Sequence, residues 1–122
     1  METKIEPAAS AVDYATNLTV QLKKGLLTQC VLLVAEQPIY TSEILNKLER
    51  AELDIVEGTI YPLLSRLARE GLLTHEWKES KEGPPRKYYQ ITDHGRAVRQ
   101  EFTASIRKLN KVIKQLERNS HE

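Results

Sequence analysis

The side chains of this 122-residue chain that could do chemistry are few, and their spacing favours holding a ligand over transforming one. The single cysteine, Cys30, lies in the apolar run from Leu26 to Ala35. A buried, inert thiol is expected there, and no internal disulfide can form. The three histidines, His75, His94 and His121, have no cysteine or carboxylate partner at metal-ligand spacing, so no metal site is expected. There is no glycine-rich phosphate loop, and no serine or cysteine nucleophile is followed by a recognisable base motif. Neither an enzyme nor a bound cofactor is expected. What remains is a set of cations and tyrosines. Lys78, Lys81, Arg86 and Lys87 surround Gly83-Pro84-Pro85, and Tyr61, Ser65, Arg66 and Arg69 lie upstream. Such groups hold phosphate oxygens through charge-assisted hydrogen bonds.

Overall charge lends that reading little help. The net charge is +1, and residues 41–91, with eight basic and nine acidic side chains, are net −1. Residues 1–40 are also net −1, whereas residues 92–122 are net +3. A nucleic-acid reader with this balance must gather its cations on one face and turn its acids elsewhere, because phosphate contacts are local. Apolar residues make up 40% and charged residues 29%, an ordinary globular composition that excludes wholesale disorder. No stretch approaches the roughly 18 apolar residues that a membrane-spanning helix needs. The first ten residues do not read as a secretory signal, and a cytoplasmic location is expected.

The elements that must position these groups follow from periodicity. Residues 1–15 read as an N-terminal arm without regular structure. A first helix is expected from about Thr16 to Glu36, with Leu22, Leu26, Cys30 and Leu33 in one stripe and Leu27, Val31 and Val34 beside it. A second runs from about Ser42 to Glu52, capped by Thr41, with Tyr40 stapled onto Leu45. A third carries Ile60, Leu63, Leu64 and Leu67 at i, i+3, i+4, i+7, is capped by Thr59 and stops at Gly71. With that cap, Pro62 falls in the first turn, where its missing N–H is no loss. The period then changes to two short strands, Leu72 to Glu79 and Arg86 to Ile91, joined through Ser80 to Pro85. Strand alternation puts one of Tyr88 and Tyr89 inside and one outside, and Trp77 is expected to pack in the hairpin core. A last helix, capped by Thr92 or Asp93, runs to about Arg118 and spans roughly 39 Å, leaving residues 119–122 as a tail.

Three helices followed by a hairpin is the order of a winged helix-turn-helix. The expected fold class is therefore mainly α with a small β-hairpin (α+β), with the DNA-reading unit over residues 16–91 and a long C-terminal dimerisation helix over 92–118. That helix carries Val98, Phe102, Leu109, Val112 and Leu116 at spacings of three and four around Ser105, with Ile106 and Ile113 widening the stripe. A domain this small cannot bury such a stripe alone, and two-fold self-association is the common solution. Homodimerisation through these residues is expected, with the first helix joining the interface.

Two longer motifs make the reading specific. Gly58-Thr59-Ile60-Tyr61-Pro62-Leu63-Leu64-Ser65-Arg66-Leu67, running on to Glu70-Gly71-Leu72-Leu73, resembles the recognition-helix signature of PadR-type transcriptional regulators. Gly83-Pro84-Pro85-Arg86-Lys87-Tyr88-Tyr89-Gln90-Ile91-Thr92, with Gly95 following, is similar to the wing of the same family. The resemblance spans roughly residues 22 to 118. It implies a dimeric repressor bound to a double-stranded DNA operator and released by a small phenolic or drug-like molecule. The positions matching the family's DNA contacts are Tyr40, Thr59, Tyr61, Arg86 and Lys87; Arg66 and Lys81 join them on position within the recognition helix and the wing tip. Two departures stand out: Tyr40-Thr41-Ser42 replaces the Tyr-Gly-Tyr of many relatives, and Val56 replaces a serine that would cap the recognition helix or hold a phosphate. Phe102 is the only aromatic after Tyr89, which leaves an aromatic effector little to stack on. The alternative from the residues themselves is a winged-helix protein-interaction module, consistent with the net −1 of residues 41–91.

Overall fold

The computed structural model describes residues 10–120; His121, and residues 1–9 of the expected N-terminal arm, lie outside the described residues. The element order is α1 (Ala11–Val34), β1 (Ile39–Tyr40), α2 (Thr41–Arg50), α3 (Glu57–Arg69), β2 (Leu73–Ser80), β3 (Gly83–Ile91) and α4 (Asp93–Asn119). The strands form one antiparallel sheet in the order β1-β3-β2.

α1 begins ahead of its expected start at Thr16. Ser10 caps it, its hydroxyl accepting from the Asp13 N–H at 3.1 Å, so residues 11–15 are helix and not arm. The stripe that enters the core is also the neighbouring one. Leu27 and Val31 are buried together with Leu32, while Leu22 and Leu33 face solvent.

α2 is capped at Tyr40 and α3 at Val56, neither giving a side-chain bond. The expected caps Thr41 and Thr59 therefore sit inside their helices. Pro62 accordingly lies beyond the first turn, and the exposed Gly58 carbonyl has no amide donor at that position. Both helices end alike. The Leu53 N–H bonds to the Leu48 carbonyl and the Leu72 N–H to the Leu67 carbonyl, each at 2.9 Å, across a left-handed residue: Glu52 (φ 62°) after α2 and Gly71 (φ 80°) after α3.

β1 has no counterpart among the expected elements, because two residues show no alternation to read. It pairs Ile39 with Tyr89 and Tyr40 with Tyr88, which fixes Tyr40 at the edge of the sheet. The hairpin is longer than expected: β3 starts at Gly83, and only Lys81 and Glu82 form the turn. Pro84 and Pro85 fall where the register shifts between the Lys78–Arg86 and Ser80–Gly83 pairs, a step that requires no amide from them.

The core joins Leu32, Ile44, Ile60, Leu64 and Leu67, all essentially inaccessible, with Ile39, Leu73, Tyr89 and Ile91 from the sheet. Of the two tyrosines, Tyr89 is the buried one and Tyr88 is half-buried. Trp77 is a correction: it is 63% exposed. It shares a strand face with Leu73 but lies two pleats further out, beyond the cover of the helices.

α4 is locked to this core at its base. Thr92 caps it, accepting from the Gly95 N–H at 2.9 Å and donating to the Gly71 carbonyl at 2.6 Å. A Cβ at Gly95 would collide with the Leu72 carbonyl and come within 2.7 Å of Ile91 Cγ1, so the close approach requires glycine. Glu36, just after α1, bonds Arg96 Nε at 3.1 Å and Arg99 Nη1 at 2.7 Å. These two arginines hold its carboxyl below the usual glutamate value, the Arg99 bond foremost. Buried Gln29 on α1 donates to Thr103 Oγ1 of α4 at 2.8 Å.

Candidate nucleic-acid interface

One groove of about 400 Å³ gathers most of the residues expected to meet DNA. β1 brings Tyr40 and the start of α2 brings Thr41 and Ser42. α3 brings Tyr61 and Ser65, and the hairpin brings Trp77, Arg86, Lys87 and Tyr89. No carboxylate among the described residues lines it.

The aromatic rings organise the cations. Arg86 Cζ lies 4.5 Å from the centre of the Tyr40 ring, which meets Tyr88 edge-on at 5.5 Å. Lys87 Nζ lies 5.3 Å from the Tyr89 ring and 5.9 Å from that of Trp77, while Lys78 Nζ sits over Tyr88 at 4.9 Å. Such contacts restrict a long side chain while leaving its donors free for an incoming anion. The short β1 strand thus has a use: its pairing with β3 puts a ring under Arg86.

Not every expected residue falls in this groove. Thr59 and Arg66 lie on the opposite flank of α3, turned toward α1. Arg66 Nε also reaches Glu70 Oε1 at 3.4 Å, both side chains being about half exposed, which dilutes but does not remove its charge. Lys81 stands exposed in the hairpin turn. Tyr61 is 51% exposed, on the outward side of α3 as its place off the leucine stripe required. Trp77, Thr41 and Ser42 join the groove without having been singled out for it. The signal for Trp77 lay in hairpin length, since its place in the strand is too far from Leu73 for helical cover.

The expected pairing residues divide. Val98, Phe102 and Ile106 are half-buried, and Phe102 comes close to Gly25 of α1. Leu109, Val112, Ile113 and Leu116 are exposed. An open, mainly apolar groove of about 600 Å³ lies beside Phe102 and Val98, lined also by Gly25, Thr28, His94 and Glu101. Cys30 is half-buried, and burial pushes its thiol up, away from reactivity. Among the described residues no group of three or more His, Cys, Asp or Glu side chains is placed to hold a metal, and no helix is long and apolar enough to cross a membrane.

A three-helix unit whose third helix is exposed beside a cation-bearing hairpin defines a winged helix-turn-helix. Residues 31–101 match the transcriptional regulator PadR-like family. The chain belongs to that family, and is a DNA-binding transcriptional regulator and not an enzyme. It is similar to a PadR-like transcription factor from Bacteroides fragilis, at 44% identity over 82% of this chain and 98% of that one, with a TM-score of 0.71. It is also similar to a PadR family regulator from Eggerthella lenta, at 32% identity over 89% and 96% of the two chains, with a TM-score of 0.81. A PadR-like regulator from Bacillus cereus shares 36% identity over 79% and 95%, with a TM-score of 0.68. No curated protein matches the chain significantly.

Proposed function

We propose that this regulator binds its operator as a two-fold homodimer and represses transcription, with α3 in the major groove and the hairpin alongside. Tyr61 and Thr59 on α3 would meet the groove, Tyr40, Arg86 and Lys87 the backbone beside it, and Lys81 and Arg66 its margins. The observation that carries this reading is the convergence of Tyr40, Tyr61, Arg86 and Lys87 on one groove without a carboxylate. Dimerisation is supported by the exposed stripe of Leu109, Val112, Ile113 and Leu116 on α4, together with Val12, Tyr14, Leu18 and Leu22 on α1. Val98, Phe102 and Ile106 form the base of that seam. The apolar groove beside Phe102 is where a small aromatic effector would bind and loosen the pairing. With DNA as its partner, the protein is assigned to the cytoplasm.

The test is a salt titration against a duplex from the region upstream of its own gene. Affinity falls steeply between about 50 and 200 mM salt, and Arg86→Ala or Lys87→Ala lowers the log–log slope by about 0.9 for each chain bound. Trp77, the only tryptophan, reports binding through its emission. Absence of binding near 50 mM salt, a condition that favours phosphate contacts, would favour the protein-interaction module.

A further inference from the structure

α3 has a groove on each flank. The first lies against the hairpin, with Arg86 and Lys87. The second, of about 430 Å³, opens between α1 and α3; Leu27 and Leu63 contribute its apolar wall, and Lys24, Thr59, Arg66 and Arg69 its polar lining. It holds three cations, and no carboxylate among the described residues lines it. The crevice between α2 and the start of α3 is the opposite, lined by Glu49, Asp54 and Glu57. Of the three crevices around α3, the two along its flanks are therefore lined by cations and the one at its start by carboxylates.

Major-groove geometry gives that arrangement a meaning. The groove is about 12 Å wide and bounded on both edges by phosphates, while a helix with its side chains is about 10–12 Å across. A helix seated there meets a phosphate backbone on each flank. We propose that the α1–α3 groove takes the second strand's phosphates, with Lys24 of α1 as the principal cation and Arg69 beside it. This rests on the reading that α3 enters the major groove. The hairpin then grips one strand and α1 the other, so α1 is part of the DNA-binding surface as well as of the core. Lys24 is exposed and has no salt-bridge partner among the described residues, so its ammonium is available. A lysine there acts as a point charge and carries no sequence preference.

The test uses the full-length protein and a fluorescein-labelled random-sequence duplex of about 24 base pairs, long enough for two half-sites a helical turn apart. Lys24→Ala lowers the salt slope by about 0.9 for each lysine engaged, hence about 1.8 for a dimer. The affinity lost between about 50 and 200 mM salt then becomes about tenfold smaller than for the unaltered protein. The loss is the same on the random duplex as on the upstream duplex, and Lys24→Arg restores the slope. An unchanged slope in Lys24→Ala, with Arg86→Ala still lowering it, overturns this proposal and leaves the proposed function standing. If neither substitution changes the slope, both readings fall. Lys24 is exposed, so a wild-type melting temperature for Lys24→Ala shows that a changed slope reflects lost contact and not unfolding.

Discussion

On α3 the four apolar residues at i, i+3, i+4, i+7 are all buried, whereas on the outer turns of α4 Leu109, Val112, Ile113 and Leu116 all face solvent. Both helices carry clean amphipathic stripes. The difference is in what surrounds them: α3 is packed into the core with α2, the sheet and the inner half of α1, while α4 leaves that core beyond Ile106, after its anchorage at Thr92, Gly95, Arg96, Arg99 and Thr103. An amphipathic stripe therefore has two meanings in one chain. Where other elements of the chain cover it, it makes a core and leaves the polar back of the helix exposed. Where no described element covers it, it stays open to solvent, as on the outer turns of α4. The two regions meet at Glu36, whose carboxylate ties α1 to α4 through both arginines.

Substitutions can sharpen this contrast. The largest effect is expected from Leu64→Ala on the buried side of α3, a fully buried position. It should cost about 2–5 kcal/mol by urea denaturation, at any protein concentration. A cost below about 1 kcal/mol would mean that the core is not where α3 places it. A smaller and opposite effect is expected at the cap. Val56→Ser gives the first turn of α3 the acceptor it lacks, and should raise stability by about 1 kcal/mol without weakening DNA binding. A drop in affinity instead would show that Val56 itself lies against the nucleic acid.

The smallest effect concerns the hinge between the regions. Glu36 has a lowered pKa when folded, so its contribution is present above the ordinary glutamate range and is lost as pH falls toward the folded value. Melting temperature should decline over that acid interval, and Glu36→Gln should remove part of the decline while lowering stability at neutral pH. The Glu36 side chain that both ion pairs share is 44% exposed, so the change is modest. Identical pH profiles for both proteins would show that the ion pairs do not hold α4 to α1.

How much of this was legible in the residues divides along the same line. The α3 core set, the hairpin and the long last helix follow from periodicity, because local spacing decides them, whereas the choice between Thr92 and Asp93 as cap is made only by the fold. Tyr40, Tyr61, Arg86 and Lys87, the DNA contacts proposed from motif and position, are brought by the fold to one groove. What escaped depends on contacts distant in sequence. The β1 strand exists only through its pairing with β3, and the Trp77 exposure depends on where helical cover ends. The core stripe of α1 is chosen by what packs against it, so Leu22 and Leu33 look as apolar as Val31 yet stay outside. Lys24 is charged and lies far ahead of α3 in the chain, and only the tertiary fold places it beside Arg69.

The central proposal is that the exposed stripe of α4 pairs two chains and that DNA binding requires the pair. Sedimentation of the protein with a labelled duplex tests it, comparing the unaltered chain with a variant carrying Leu109→Asp and Val112→Asp together. Both positions are exposed within the chain, so the variant should keep its winged-helix fold. The expected result is two chains per duplex for the unaltered protein, and a folded monomer sedimenting apart from free duplex for the variant. A variant that keeps a dimer's mass, or that binds as a monomer with undiminished affinity, would contradict it.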